Sequence, residues 1–196
     1  MRNMMKEVLR GWVGALFAAS LFASSVAAQQ RAVDTGHSTL TIHVGKTGML
    51  SAFGHEHEIR GTITSGSAET GAHPSVEVHI DARALKVIDP GESDDARAEV
   101  QGTMLGPEVL DSGRFSEIVY KSTSAESAGD GKWTLKGDLT LHGQSRPVTV
   151  TVTLKGDRYT GEAVVKQTEF GIKPPGKPGI RAKDEVRIEF DVQLAR

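Results

Sequence analysis

Apolar and polar residues alternate with a period of two along much of this chain. The alternation is clearest over residues 76–80, 133–141, 148–154 and 186–194. Because successive side chains of a strand point to opposite faces of a sheet, each segment has one apolar face and one polar face. This arrangement is typical of an antiparallel sheet with one solvated face, and it indicates an all-β protein.

Four less regular segments complete the pattern, at residues 40–44, 59–63, 118–120 and 159–165. The total is about eight strands, which suits a closed barrel or a two-sheet sandwich. Because a one-residue slip would expose a whole apolar face, we expect the apolar positions to face one continuous interior. Ten residues carry this expectation: Leu40, Ile42, Val76, Val78, Ile80, Trp133, Leu135, Val150, Ile188 and Phe190.

One segment has helical rather than strand periodicity. Ala96, Val100 and Met104 recur every fourth residue, and Ser93 precedes them as a potential N-cap. The spacing predicts one helix over residues 93–105, in the connection between the third and fourth strands. Its apolar face should pack inward and close or flank one end of the sheet.

The N-terminus has the order of an export signal. Basic residues within the first ten positions precede an uncharged apolar run over 11–26, and small residues follow up to Ala28. An uncleaved anchor is the alternative, but a membrane span needs about 20 apolar residues. We therefore expect residues 1–28 to be a signal peptide cleaved after Ala28, and residues 29–196 to be one exported, periplasmic domain.

Composition narrows the functional classes. The chain has no cysteine, so neither disulfides nor cysteine lipidation can occur, and its formal net charge is −2. Nucleic-acid binders concentrate basic residues on one face, and such a cluster is missing from this sequence. Phosphate-loop, dinucleotide and nucleophile-elbow motifs are also missing. We expect no nucleic-acid partner and no cofactor.

Several segments together resemble a known family. They are His37-Ser38-x-Leu40-x-Ile42, LDSGRFSEI at 110–118, GDLTLHGQSRPV at 137–148, FGI at 170–172 and DEVRI at 184–188. The combination resembles the YceI-like family of periplasmic proteins over essentially the whole of residues 29–196. The resemblance implies a lipocalin-like, eight-stranded antiparallel barrel with one helix in a long connection. It also implies an apolar tunnel that binds a polyisoprenoid or similar lipid, and a possible homodimer.

The leading hypothesis is a non-catalytic, periplasmic protein that holds an isoprenoid or other long lipid chain. Burying one CH₂ group contributes about 0.8 kcal/mol, so an apolar interior can bind such a chain without elaborate polar chemistry. Thirteen residues are the predicted interior and rim of the site: Leu40, Ile42, Phe53, His55, His57, Val76, Val78, Ile80, Tyr120, Trp133, Leu135, Ile188 and Phe190.

His55 and His57 are the only histidines with the spacing of a chelating pair. On an unbroken strand they share a face with Ile59, so we expect both at the pocket rim, partly exposed, against a polar part of the ligand. Two ligands are too few for a lasting zinc site. The alternatives are a metal- or haem-associated periplasmic protein that uses this pair, and an enzyme acting on a small apolar substrate. The enzyme alternative has little support, because no serine lies in a sequence motif typical of a catalytic nucleophile.

Overall fold

The computed structural model describes residues 29–71 and 74–195. The predicted signal peptide and the side chain of Phe53 lie outside the described part. The strands are β1 (Gln29–Ala32), β2 (Thr39–Thr47), β3 (His57–Gly61), β4 (Ile63–Thr70), β5 (Ser75–Asp81), β6 (Lys86–Val87), β7 (Glu117–Gly129), β8 (Lys132–Leu141), β9 (Gln144–Lys155), β10 (Arg158–Lys166), β11 (Gly176–Lys177) and β12 (Ile180–Gln193). The helix α1 spans Asp94–Leu105, and short 3-10 helices span Ser51–Phe53, Ala82–Ala84 and Gln167–Phe170.

The strands form one antiparallel sheet that closes on itself. Their order is β1-β4-β5-β7-β8-β9-β10-β12-β2-β3-β6, and β11 pairs only with β12. Strand β3 pairs with β2 on one side and with β6 on the other. Strand β4, which follows β3 directly, pairs with β1 on one side and with β5 on the other. The ladder therefore returns to its starting point, as in a barrel.

The predicted fold class is confirmed, although the strands are more fragmented than the sequence suggested. Three of the eight barrel strands are each split in two, as β1–β2, β3–β4 and β5–β6. Thr62 separates β3 from β4, and the register shifts between Ile63 and Ser65. Such irregularities bend a strand sharply, which is how a sheet turns the corner of a small barrel.

The register stacks apolar side chains around the interior. Ile42 pairs with Ile59 on one side and with Ile188 on the other. Ile80 is likewise opposite Ile63 and Ile118. Since paired residues of neighbouring strands point to the same face, each pair places two apolar side chains in the same interior layer.

The predicted helix is confirmed as α1. Ser93 is its N-cap, and the Ser93 hydroxyl accepts a hydrogen bond from the Ala96 amide at 3.2 Å. Met104 is buried, and Val100 packs against the core at its edge. None of the helices in residues 29–71 and 74–195 is long and apolar enough to cross a bilayer.

Gln101 attaches α1 to the short strand β6. The Gln101 side-chain oxygen accepts from the Val87 amide at 2.8 Å, and its nitrogen donates to the Leu85 carbonyl at 2.7 Å. One amide side chain thus replaces a neighbouring strand at this edge and satisfies backbone groups that would otherwise lack partners.

The GDLTLHGQSRPV segment fastens the 3-10 turn that ends at Phe170. The His142 Nδ1 atom lies 3.1 Å from the Phe170 carbonyl oxygen, and Arg146 donates to the carbonyl of the residue before Phe170 at 3.0 Å. Gly143 has φ 70°, and a Cβ there would lie 2.4 Å from the Phe115 ring. The segment therefore needs glycine for both backbone conformation and space.

Asp184 holds the same turn from the other side. Its carboxylate accepts from the Thr168 amide at 2.8 Å and from the Thr168 hydroxyl at 2.7 Å. These hydrogen bonds, the amide bond first, hold the pKa of the Asp184 carboxyl below its usual value.

Replacing Asp184 with alanine is expected to lower the free energy of unfolding by about 1 kcal/mol at pH 7. Because the folded-state pKa is depressed, this contribution is fully present above the unfolded pKa and is lost as the pH falls through the folded one. The difference between wild type and variant should therefore shrink below about pH 4. Urea unfolding at several pH values measures it. Glu185→Ala is the matched control, and an equal loss there would contradict the assignment.

Candidate functional site

The barrel encloses a cavity of about 490 Å³. The structure places ten of the thirteen predicted site residues on its wall: Leu40, Ile42, Val76, Val78, Ile80, Tyr120, Trp133, Leu135, Ile188 and Phe190. Val150, expected on the same face, also lines it. The interior is thus hollow rather than filled by its own side chains, and ligand contact by these residues stays a prediction.

Other wall residues follow the same alternation or come from the helical connection. The strand residues on the wall that the predicted site omitted include Val44, Ile59, Ile63, Leu139, Leu141, Val148, Val152, Ala163, Val165 and Val186. Their position on the apolar face of each strand was a sufficient signal to include them. Met104, Val109 and Leu110 also line the cavity. The helical periodicity predicted that Met104 points inward. Val109 and Leu110 lie in an irregular segment after α1, where no periodic pattern of apolar residues predicts which side chains are buried.

The two ends of the cavity differ in polarity. At one end, α1 and the turn Gln167–Phe170 contribute Met104 and Gln167 to the cavity wall and close the barrel. Phe170 is fully buried behind this wall. At the other end, the turn between β4 and β5 contributes Glu69, Thr70, Pro74 and Ser75 to the lining. We call this polar end the mouth. The apolar chain of an amphipathic ligand therefore fits along the wall between these two ends.

Tyr120 puts one polar atom in the otherwise apolar wall. The ring packs over Gly137, where an added Cβ would lie 2.8 Å from the Tyr120 Cζ atom. The hydroxyl is buried and has no hydrogen-bond partner among the described residues. Burial, with a smaller contribution from the Asp138 carboxylate, raises the pKa of Tyr120 to about 12. The hydroxyl is therefore protonated at neutral pH and available as a donor.

The structure corrects the predicted position of His55 and His57. Neither residue is among those that line the cavity, and both lie at the closed end of the barrel, opposite the mouth. Phe53 belongs to a 3-10 helix rather than to a continuous strand. The unbroken strand assumed from the sequence begins only at His57, because the preceding residues form that helix and a loop.

At their actual position the two histidines meet a buried carboxylate. Asp89 Oδ2 lies 2.7 Å from His57 Nδ1 and 3.5 Å from His55 Nε2, and Asp89 Oδ1 accepts from the Glu58 amide at 2.7 Å. The Asp89 side chain is 1% exposed. Burial alone would raise the pKa of the Asp89 carboxyl, but the hydrogen bonds from His57 and Glu58 outweigh burial and lower it.

Asp89 was not predicted from the sequence. It lies in the irregular connection between β6 and α1, next to the Pro90-Gly91 turn, where neither period applies. Its contact with His57 joins residues 32 positions apart, so only the fold brings the two together.

Comparison with known proteins identifies relatives over most of the chain. The model of the YceI-like domain family matches residues 32–194. A UPF0312 protein of Shewanella oneidensis is 27% identical over 172 residues, which cover 81% of this chain and 85% of that protein. One from Shewanella putrefaciens is 26% identical over 205 residues, covering 98% of this chain and 100% of the relative.

Solved structures share the fold at low identity. BcnA of Burkholderia cenocepacia superposes with a TM-score of 0.62 at 22% identity, over 84% of this chain and 99% of BcnA. A polyisoprenoid binding domain from Saccharophagus degradans, implicated in plant cell wall breakdown, gives a TM-score of 0.52 at 13% identity, over 86% and 98% of the two chains. These similarities agree with the barrel described above.

Proposed function

Because this chain belongs to the YceI-like domain family, we propose that it is a non-catalytic binding protein that holds an isoprenoid or similar lipid chain inside its barrel. The observation that carries the proposal is the hollow apolar interior with a polar mouth at one end. Ligand sites are usually apolar cavities of about 300–1,000 Å³ with a few placed polar groups, and this cavity has that character. The polyisoprenoid binding domain of Saccharophagus degradans, which has the same fold, supports a prenyl chain as the ligand class.

The cavity volume limits how much chain fits inside. If each non-hydrogen atom takes roughly the 30 Å³ of a water molecule in the liquid, a cavity of about 490 Å³ has room for about 16 atoms. That is about three isoprene units. A longer chain would have to leave through the mouth, where Glu69, Thr70 and Ser75 meet solvent.

The lining favours binding over catalysis. Among the described residues on the cavity wall, the titratable side chains are Glu69 at the mouth and the phenols Tyr120 and Tyr159. General acid–base chemistry needs a group whose pKa lies near the operating pH, and the Tyr120 pKa of about 12 does not. The wall therefore supplies apolar contact and few reactive groups.

We also propose that the protein works in the periplasm after cleavage following Ala28. The order of basic, apolar and small residues over positions 1–28 supports export. N-terminal sequencing of protein from a periplasmic extract should begin at Gln29. Recovery of the full-length chain in the membrane fraction would contradict this.

The direct test of the lipid proposal is organic extraction of the purified protein, followed by mass spectrometry. We expect a prenyl or other long-chain lipid in a stoichiometric amount. The same protein, stripped of lipid, should bind farnesol, which has three isoprene units, in a saturable titration. No extracted lipid together with no farnesol binding would refute the proposal.

Replacing Tyr120 with phenylalanine tests whether the buried hydroxyl anchors an oxygen of the ligand. A hydrogen bond contributes about 0.5–1.5 kcal/mol net, so farnesol affinity should fall about two- to tenfold. The same chain without its hydroxyl, farnesene, should bind wild type and variant equally. An equal loss of affinity for farnesol and farnesene would contradict this prediction, because it would indicate a change in the shape of the wall rather than a lost hydrogen bond.

A further inference from the structure

We propose that His55, His57 and Asp89 form a binding site for a divalent transition-metal ion at the closed end of the barrel. The potential ligand atoms of the three side chains lie within 4.8 Å of one another. Within residues 29–71 and 74–195, this is the one group of three such side chains close enough to share an ion. It lies at the opposite end from the mouth, so it is separate from the lipid site.

Two of the three potential ligands, His55 and Asp89, are each oriented by a second contact. His55 Nδ1 lies 3.2 Å from Glu92 Oε1, and the other ring nitrogen, Nε2, faces Asp89. The Glu58 amide holds one oxygen of Asp89 and leaves Oδ2 towards both imidazoles. Metal-binding histidines typically donate their second N–H to a carboxylate or carbonyl, and ligating carboxylates are themselves hydrogen-bonded.

The distances suit a tetrahedral ion with an open position. Ligand bonds of about 2.0–2.2 Å place neighbouring ligand atoms about 3.3–3.5 Å apart. The separation of 3.5 Å between His55 Nε2 and Asp89 Oδ2 already matches. His57 Nδ1, at 2.7 Å from the same oxygen, has to move away by less than about 1 Å. To bind the ion through this atom, the neutral ring has to carry its proton on Nε2 instead of Nδ1.

Exposure leaves the ion a path to the site. The side chains of His55 and His57 are 45% and 29% exposed, while Asp89 is buried beneath them. An ion can therefore approach from solvent, and water can fill the fourth position. Two imidazole nitrogens and one carboxylate select zinc, copper, nickel or ferrous iron over magnesium and calcium, which prefer oxygen ligands.

A purely structural role explains only part of the arrangement. The pair His57–Asp89 alone would attach β3 to the connection before α1. It gives no reason for a second imidazole, His55, to be directed at the same carboxylate oxygen and held there by Glu92. A metal site uses all four groups.

The proposal is tested by treating the protein with a chelator and then titrating it with zinc in a calorimeter. We expect one Zn²⁺ per chain in the wild type and at least a tenfold loss of affinity in both His55→Ala and Asp89→Asn. His55→Ala is the decisive variant, because the hydrogen bond between His57 and Asp89 remains and the connection keeps its fold. Circular dichroism of each variant verifies that fold.

His79→Ala is the matched control. His79 also meets carboxylates, at 3.0 Å from Glu77 and 2.9 Å from Glu117. Among the described residues, no group of three potential metal ligands includes it. Its replacement should leave zinc affinity unchanged. Equal zinc affinity in wild type and folded His55→Ala would overturn the proposal. A wild type that binds neither zinc, copper nor nickel would overturn it too.

Discussion

Replacing Ala163 with phenylalanine is expected to lower farnesol affinity at least tenfold while leaving the protein folded. Ala163 lies on β10, is 8% exposed, and lines the cavity between Val150 and Ile188 of the adjacent strands. The added ring occupies space that the lipid chain would fill. Each displaced CH₂ forfeits about 0.8 kcal/mol, so a loss of two or three such groups already exceeds tenfold.

The free energy of unfolding of Ala163→Phe distinguishes a hollow interior from a filled one. Extra carbon atoms in a well-packed core cost about 1–3 kcal/mol or more, because neighbours must leave their preferred rotamers. In a hollow barrel the ring has room, so the free energy of unfolding of Ala163→Phe should stay within about 1 kcal/mol of the wild type, below the cost of overpacking. Urea unfolding of the lipid-free proteins measures this difference.

The adjacent residue provides the matched control. Val164 is 55% exposed on the outer face of the same strand. Val164→Phe adds a ring of the same kind outside the barrel and should leave farnesol affinity unchanged. Undiminished farnesol binding by Ala163→Phe would place the ligand somewhere other than the cavity.

Strict alternation predicted the barrel and its wall because burial repeats on a single face. Val76, Val78 and Ile80 show this, since all three point into the cavity as their period requires. The helix could also be predicted from the sequence, because Ser93 is an N-cap residue and the apolar residues up to Met104 recur at helical spacing. In both cases the side chains that the sequence groups together are the ones that the backbone geometry groups together.

The His55–His57 position could not be predicted in the same way. Alternation predicts which face a side chain points to only along a continuous strand. The strand assumed through His55 is interrupted, because Ser51–Phe53 form a 3-10 helix. The partner Asp89 is brought in by a long connection whose course depends on where α1 packs. The metal-like cluster is therefore a property of tertiary structure, with no local pattern in the sequence.

The largest expected loss of stability follows replacement of Phe170 with alanine. Phe170 has 0% exposure and is the last residue of the 3-10 turn that His142 holds through the Phe170 carbonyl. Removing a buried phenyl group costs its transfer free energy and leaves a void, together about 3–5 kcal/mol. Many domains are stable by only 5–15 kcal/mol, so the variant should unfold at a markedly lower urea concentration.

Two further variants identify the cause of that loss. Phe170→Leu refills much of the void and should recover a large part of the stability, because the cost of a smaller side chain increases with the volume of the cavity that remains. Phe115→Ala removes the same ring from a less buried site, where its edge meets His142 at 4.9 Å between ring centroids, and should cost less than Phe170→Ala. If Phe170→Ala and Phe115→Ala cost the same, the complete burial of Phe170 is not the cause of the loss. A leucine variant no more stable than the alanine variant would show that the aromatic ring itself, rather than the volume it fills, holds this end of the barrel together.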